Sequence, residues 1–103
     1  MYNAKFLSKA ERQLKKLTKK NKPLAKKFKK SIESLRKNPY REAKVGDLKG
    51  VWGYGFRFNR TDYRIAYIII EEEICIFIIG VGTRADFWNH LKKYWNNKVK
   101  NDT

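Results

Sequence analysis

Apolar residues recur at helical spacing in the first third of the chain and at strand spacing after residue 51. Ala10, Leu14 and Leu17 lie three and four residues apart, which draws one buried stripe on a helix whose remaining positions are mostly lysine. Ser8 with Glu11 fits a capping box, so this helix is expected to begin at Ser8. Asn21-Lys22-Pro23 breaks and restarts the chain, since proline is tolerated in a first helical turn. Leu24, Phe28, Ile32 and Leu35 then mark a second helix, which must stop before Pro39. Residues 2–7 read as a short leading strand and residues 40–50 as a connecting loop.

From Trp52 the period is two. Trp52, Tyr54, Phe56 and Phe58 share one face, and Gly53, Gly55, Arg57 and Asn59 the other. A turn at Asn59-Arg60-Thr61 leads to a strand with Tyr63, Ile65, Tyr67 and Ile69 on one side and Arg64, Ala66, Ile68 and Ile70 on the other. The triplet Glu71-Glu72-Glu73 turns the chain again. Ile74 to Val81 is apolar on both faces, as a central strand covered on each side would be. A short helix from Ala85 to about Asn97 buries Phe87, Leu91, Tyr94 and Trp95. The order is β-α-α-β-β-β-α. The aromatic faces of the hairpin bury against the two helices, and the opposite face, carrying small residues around Arg57 and Arg64, is left for function. Arg84, just past the central strand, is expected to lean over the same surface.

Length and charge narrow the picture. A chain of 103 residues holds one domain, 1–103, with a tail over 96–103 expected to fray. The 25 Lys and Arg against 10 Asp and Glu give a formal net charge of +15, which attracts polyanions. The excess is N-terminal: residues 1–49 carry 17 basic against 4 acidic side chains, residues 50–103 only 8 against 6. An acidic protein, nucleic acid or an anionic membrane surface is implied. The glutamate triplet interrupts the longest apolar run before it could span a bilayer, and no apolar stretch of a secretory signal follows the first basic residues. One cysteine, Cys75, allows no internal disulfide and sits in an apolar run. A soluble protein of the reducing cytoplasm, with no membrane partner, is expected. One His and one Cys make no zinc site, and no glycine-rich phosphate loop opens a helix. Neither a metal nor a cofactor is expected.

Arg57, Arg64 and Arg84 lie on or beside strands, away from the lysine coat. A guanidinium holds a phosphate through two parallel hydrogen bonds and stabilises the extra charge of a phosphodiester transition state. The alternative is that each pairs with Asp62, Asp86 or a glutamate. His90, the sole histidine, is a candidate general acid or base, or else a helix-surface residue. Lys15, Lys16, Lys19, Lys26, Lys27, Lys30 and Lys49 are candidate RNA-backbone contacts, salt-dependent and indifferent to sequence, rather than a merely solvated face.

The succession Asp47-Leu48-Lys49-Gly50, Tyr54-Gly55-Phe56-Arg57-Phe58, Asp62-Tyr63-Arg64-Ile65-Ala66-Tyr67 and Val81-Gly82-Thr83-Arg84 resembles the RelE/ParE superfamily of toxin–antitoxin toxins over residues 45–90. The resemblance implies an α+β fold with an N-terminal helical hairpin packed on a mostly antiparallel four-stranded sheet. It also implies metal-independent cleavage of mRNA on the ribosome, and a cognate acidic antitoxin. By the same resemblance Arg64 holds the scissile phosphate, Arg57 occupies a basic strand position, and Arg84 stabilises the transition state or leaving group. His90 falls near a C-terminal tyrosine or histidine that activates the attacking 2′-hydroxyl. Gly55 stands where RelE-type members carry a lysine, which leaves His90 as the expected general base. The alternatives are a ParE-like inhibitor of DNA gyrase without ribonuclease activity and a non-enzymatic RNA-binding module.

Overall fold

The computed structural model describes residues 1–83 and 86–102, with side chains as far as residue 95. Among these residues three α-helices and five strands follow in the order β1 (Asn3–Phe6), α1 (Ser8–Thr18), α2 (Lys22–Lys37), β2 (Glu42–Ala43), β3 (Trp52–Phe58), β4 (Thr61–Ile70), β5 (Cys75–Thr83) and α3 (Phe87–Asp102). They form one sheet in the order β1-β5-β4-β3-β2, with β1 parallel to β5 and every other pair antiparallel. The α+β class and the helical hairpin are as expected, but the sheet has five strands rather than four. The additional strand is the two-residue β2, which pairs Glu42 with Gly53 and Ala43 with Trp52 inside the segment read as a loop. Two residues are too few to carry a period, so only the pairing itself identifies them. The last helix also runs on to Asp102, past the end expected at Asn97.

The second helix is built as its sequence indicates. Asn21 Oδ1 accepts the Leu24 N–H at 3.1 Å, Pro23 lies in the first turn, and Leu24, Phe28 and Leu35 are buried. The capping box at Ser8 does not form. The Leu7 N–H donates to Ile78 O at 3.0 Å, continuing the β1 ladder, while Leu7 O already accepts the Glu11 N–H at 2.9 Å. Leu7 is therefore the cap, with no side-chain bond. Ser8 is pulled into the helix, and the Glu11 carboxylate pairs instead with Lys15 at 3.2 Å.

The sheet is covered on both faces. Under α1 and α2 lies a core containing Phe28, Leu35, Ile65, Tyr67 and Ile78, with the aromatic faces of β3 and β4 packed against it, as the alternation predicts. A second core of Leu48, Val51, Ala66, Ile79, Phe87 and Leu91 lies on the other face beneath α3. That face is thus not left open as a whole, which corrects the sequence reading: Ile68, Phe77 and Ile79 gave it an apolar half, and α3 covers that half. An irregularity at Ala66/Tyr67, where Ala66 pairs with Gly80 but Tyr67 with Ile78, sends Ile79 to this second core. Beside it, Gln13 of α1 accepts the Val81 N–H at 2.9 Å, so a ladder donor that would be orphaned in the core has a partner.

At the far end of the sheet, Glu71 accepts hydrogen bonds from Tyr40 and, at 2.7 Å, from Tyr2, tying the start of β1 and the connector after α2 to the β4–β5 turn. These bonds, that from Tyr40 first, hold the Glu71 carboxyl below its ordinary pKa. A depressed carboxylate stabilises the fold above its unfolded pKa, near 4.5, and the contribution is lost as pH falls through the folded value. Glu71→Gln is therefore expected to melt below wild type at pH 7, with the gap closing towards pH 3. A gap in melting temperature that stays constant over that range would remove the clasp from the account.

Candidate phosphate-binding site on the open end of the sheet

Asn59 and Arg60 both have positive φ, 47° and 65°, and close β3 to β4 as a two-residue turn that matches the twist of the strands. This turn fixes the register: Arg57 faces Asp62, Gly55 faces Arg64 and Gly53 faces Ala66. Directly opposed residues of an antiparallel pair share a face, so Arg57, Asp62, Gly55 and Arg64 all stand on the side away from the helical hairpin. Arg57 Nη1 lies 3.6 Å from Asp62 Oδ1, and Arg64 Nη1 donates to Asp62 O at 3.4 Å.

Glycines decide where this face is covered. A Cβ at Gly53 would lie 2.8 Å from the Trp88 ring, and one at Gly82 2.7 Å from Phe87, so α3 presses its aromatic rings onto bare backbone. At Gly55 an added Cβ would meet only Tyr63 O at 3.4 Å. The aromatic wall ends there, and a hollow of about 290 Å³ opens, lined by Gly55, Phe56, Arg57, Asp62, Tyr63 and Arg64. On this face Arg64 is flanked by Gly55 on β3 and Gly82 on β5. The rings of Phe56 and Tyr63 stack at 5.4 Å and meet Phe28 edge-on beneath the sheet, giving the hollow a firm underside. Lys27 of α2 reaches the same end, its Nζ 5.7 Å from the Phe56 ring centre.

A larger groove of about 500 Å³ runs between β1 and the helical hairpin, lined by Phe6, Leu14, Phe28 and Ile32. Its only carboxylate, Glu33, is bound to Arg36 at 2.7 Å, and the groove gathers no acid–base set. The smaller hollow is the better candidate for chemistry.

The fold therefore brings Arg57 and Arg64 together. Arg84 lies outside the described residues. His90 stands on α3 outside its buried stripe, its side chain 77% exposed, with Nε2 3.2 Å from Asp86 Oδ2; it does not line the hollow. Lys15 and Lys16 on α1, Lys19 just past its end, Lys26, Lys27 and Lys30 on α2, and Lys49 after the turn at Gly46–Leu48 are all exposed. Lys15 is paired with Glu11. Asp62 is an arginine partner, the alternative that the sequence reading kept open, and its pairing with Arg57 is set by the two-residue turn between their strands. Among the described residues no three His, Cys, Asp or Glu side chains form a metal-binding cluster, and no helix is long and apolar enough to cross a membrane.

What the hollow offers is two guanidiniums, one carboxylate and a flat glycine floor. Ion pairs this exposed are worth about 0–1 kcal/mol, so Asp62 holds Arg57 only weakly against an incoming anion.

Comparison with known proteins agrees with this architecture. No curated protein matches the chain significantly. Among solved structures, the toxin–antitoxin complex RelBE2 from Mycobacterium tuberculosis contains a chain 30% identical, aligned over 82% of this chain and 93% of that one with a TM-score of 0.64. The intact Escherichia coli RelBE toxin–antitoxin complex matches at 22% identity over 82% of this chain and 98% of that one, TM-score 0.65. A YoeB/ParE toxin from Agrobacterium tumefaciens shares the fold at 14% identity, over 80% and 98% of the two chains, TM-score 0.66. The family model for the ParE-like toxin of type II bacterial toxin–antitoxin systems matches residues 5–92, most of the chain, and the protein belongs to that family.

Proposed function

We propose that this toxin is a metal-independent endoribonuclease that cuts mRNA, on the ribosome, by attack of a ribose 2′-hydroxyl on the adjacent 3′-phosphate. The products are a 2′,3′-cyclic phosphate and a 5′-hydroxyl. The observation that supports this reading is the convergence of Arg57 and Arg64 on one hollow with an unobstructed floor. In this reading Arg64 forks the scissile phosphate, Arg57 neutralises its second oxygen, and Arg84 serves the transition state. Such donors act where charge develops during the displacement, each contributing on the order of 3 kcal/mol. His90, exposed on α3 and outside the hollow, takes part in proton transfer through solvent. Lys26, Lys27 and Lys30 along α2 follow the RNA backbone, with Lys15, Lys16, Lys19 and Lys49 adding phosphate contacts elsewhere on the surface.

The partner of a type II toxin is its antitoxin, and the net charge of +15 requires an acidic one. Such a complex would assemble in the cytoplasm, where mRNA and ribosomes are.

The family model is named for ParE, which favours gyrase inhibition as a second reading. Mapping RNA 5′ ends in translating cells after induction separates the two. New ends inside reading frames are expected; DNA-damage signalling without new ends would overturn the ribonuclease reading.

A further inference from the structure

We propose that Asp62 is the general base of this cleavage, its carboxylate taking the proton from the attacking 2′-hydroxyl. The assignment rests on the ribonuclease reading and adds to it a residue that the arginines and His90 do not supply.

Elimination around the hollow comes first. Gly55 brings no side chain, Arg57 and Arg64 only donate hydrogen bonds, and the rings of Phe56 and Tyr63 are turned towards Phe28 beneath the sheet. Asp62 is left as the proton acceptor among the lining residues. His90 is engaged with Asp86 at 3.2 Å and does not line the hollow.

Geometry points the same way. The Asp62 carboxylate lies 3.6 Å from the Arg57 guanidinium, while Arg64 reaches the Asp62 carbonyl at 3.4 Å. A phosphate forked by these two arginines arrives beside Asp62, and the 2′-oxygen that attacks it belongs to the neighbouring ribose. That sugar needs a surface without projections, and Gly55, directly across from Arg64, provides one. The Arg57–Asp62 pair is exposed on both sides, 67% and 57%, so phosphate can displace the carboxylate from the guanidinium without breaking a buried contact. A carboxylate released in this way is positioned within reach of the hydroxyl, which is what a general base requires.

The step balances. The O2′–H proton passes to an Asp62 carboxylate oxygen as O2′ bonds to phosphorus. The P–O5′ bond breaks with its electron pair on O5′, which takes a proton from water. Asp62 then returns to its starting state by giving its proton to water.

A carboxylate beside a bound phosphate also repels it, so a base and a plain counter-ion respond oppositely to neutralisation. The full-length toxin, freed from its antitoxin, would be assayed as Asp62→Asn, Asp62→Glu and Arg64→Ala. Single-turnover cleavage of a reporter mRNA on ribosomes is measured alongside affinity for ribosomes carrying the 2′-O-methyl form of that mRNA, which cannot be cut. Asp62→Asn is expected to slow cleavage 10²–10⁴-fold while affinity stays equal or tightens, and Asp62→Glu to restore part of the rate. If Asp62→Asn cuts as fast as wild type or faster while Arg64→Ala is inactive, Asp62 is only a counter-ion and the proposal falls with the ribonuclease reading intact. If the wild type leaves the mRNA uncut, both fall.

Discussion

Arg64→Ala is expected to abolish growth inhibition and to lower mRNA cleavage by at least about 10³-fold, while the protein melts close to the wild-type temperature. The two halves of this expectation have separate origins. The Arg64 guanidinium makes one long internal hydrogen bond, 3.4 Å to Asp62 O, and its cross-strand neighbours on this face are Gly55 and Gly82. Cutting back this half-buried side chain removes that weak bond and part of its packing, so stability should change by about 1 kcal/mol or less. A guanidinium held this weakly is available to a ligand. A forked donor aimed at phosphate works through geometry as well as charge, so Arg64→Lys should recover only a small part of the activity. Arg57→Ala should lose less, because Arg57 stands nearer the hairpin tip, already shared with Asp62. Cleavage assays paired with thermal melts check this. A folded Arg64→Ala protein that cuts mRNA normally would take this arginine out of the active site.

Much of that site is legible before any coordinates, because period-two alternation alone places Arg57 and Arg64 on the same face of their strands. Their proximity is a further step. It depends on register, and register depends on whether the turn holds two residues or three; Asn59 and Arg60 at positive φ fix it at two. With that known, Asp62 falls opposite Arg57 and its role comes into view. The extent of the open face is harder to read. It is set by where Phe87 and Trp88 land: Phe87 on the nearby Gly82, and Trp88 on Gly53, which lies far away in the chain. The apolar residues Phe77 and Ile79 on that face show that something must cover it, without showing how far the cover reaches. His90 is the least legible. Helical spacing sets it beside the buried Phe87 and Leu91, yet its orientation follows from the Asp86 carboxylate one turn earlier. Local signals fail where the backbone is claimed twice, as at Leu7, which finishes a strand ladder and caps a helix at once.

The largest effect on stability is expected at Phe28. This ring is 1% exposed and meets Phe56 at 4.9 Å and Tyr63 at 5.6 Å, both nearly edge-on. Phe28→Ala deletes a ring from a close-packed core and leaves a cavity between a helix and a sheet, neither of which can close in without moving the other. Substitutions of this kind cost about 3–5 kcal/mol, a large share of the total stability of a domain this size. At roughly 4–8 °C per kcal/mol, the melting temperature should fall by about 20 °C. The location gives the change a functional signature as well. Phe56 and Tyr63 form the underside of the hollow, and their neighbours along the same strands are Arg57, Asp62 and Arg64. Loosening the support beneath the sheet should therefore impair catalysis in proportion to unfolding: cleavage by Phe28→Ala should be weak at 37 °C and recover on cooling, whereas Arg64→Ala stays inactive at every temperature. Ile32, one turn along α2 and only partly buried, is the control, and its alanine variant should lose distinctly less. A Phe28→Ala protein melting within a few degrees of wild type would mean that the aromatic pair collapses into the gap, and that the hollow is held up from elsewhere.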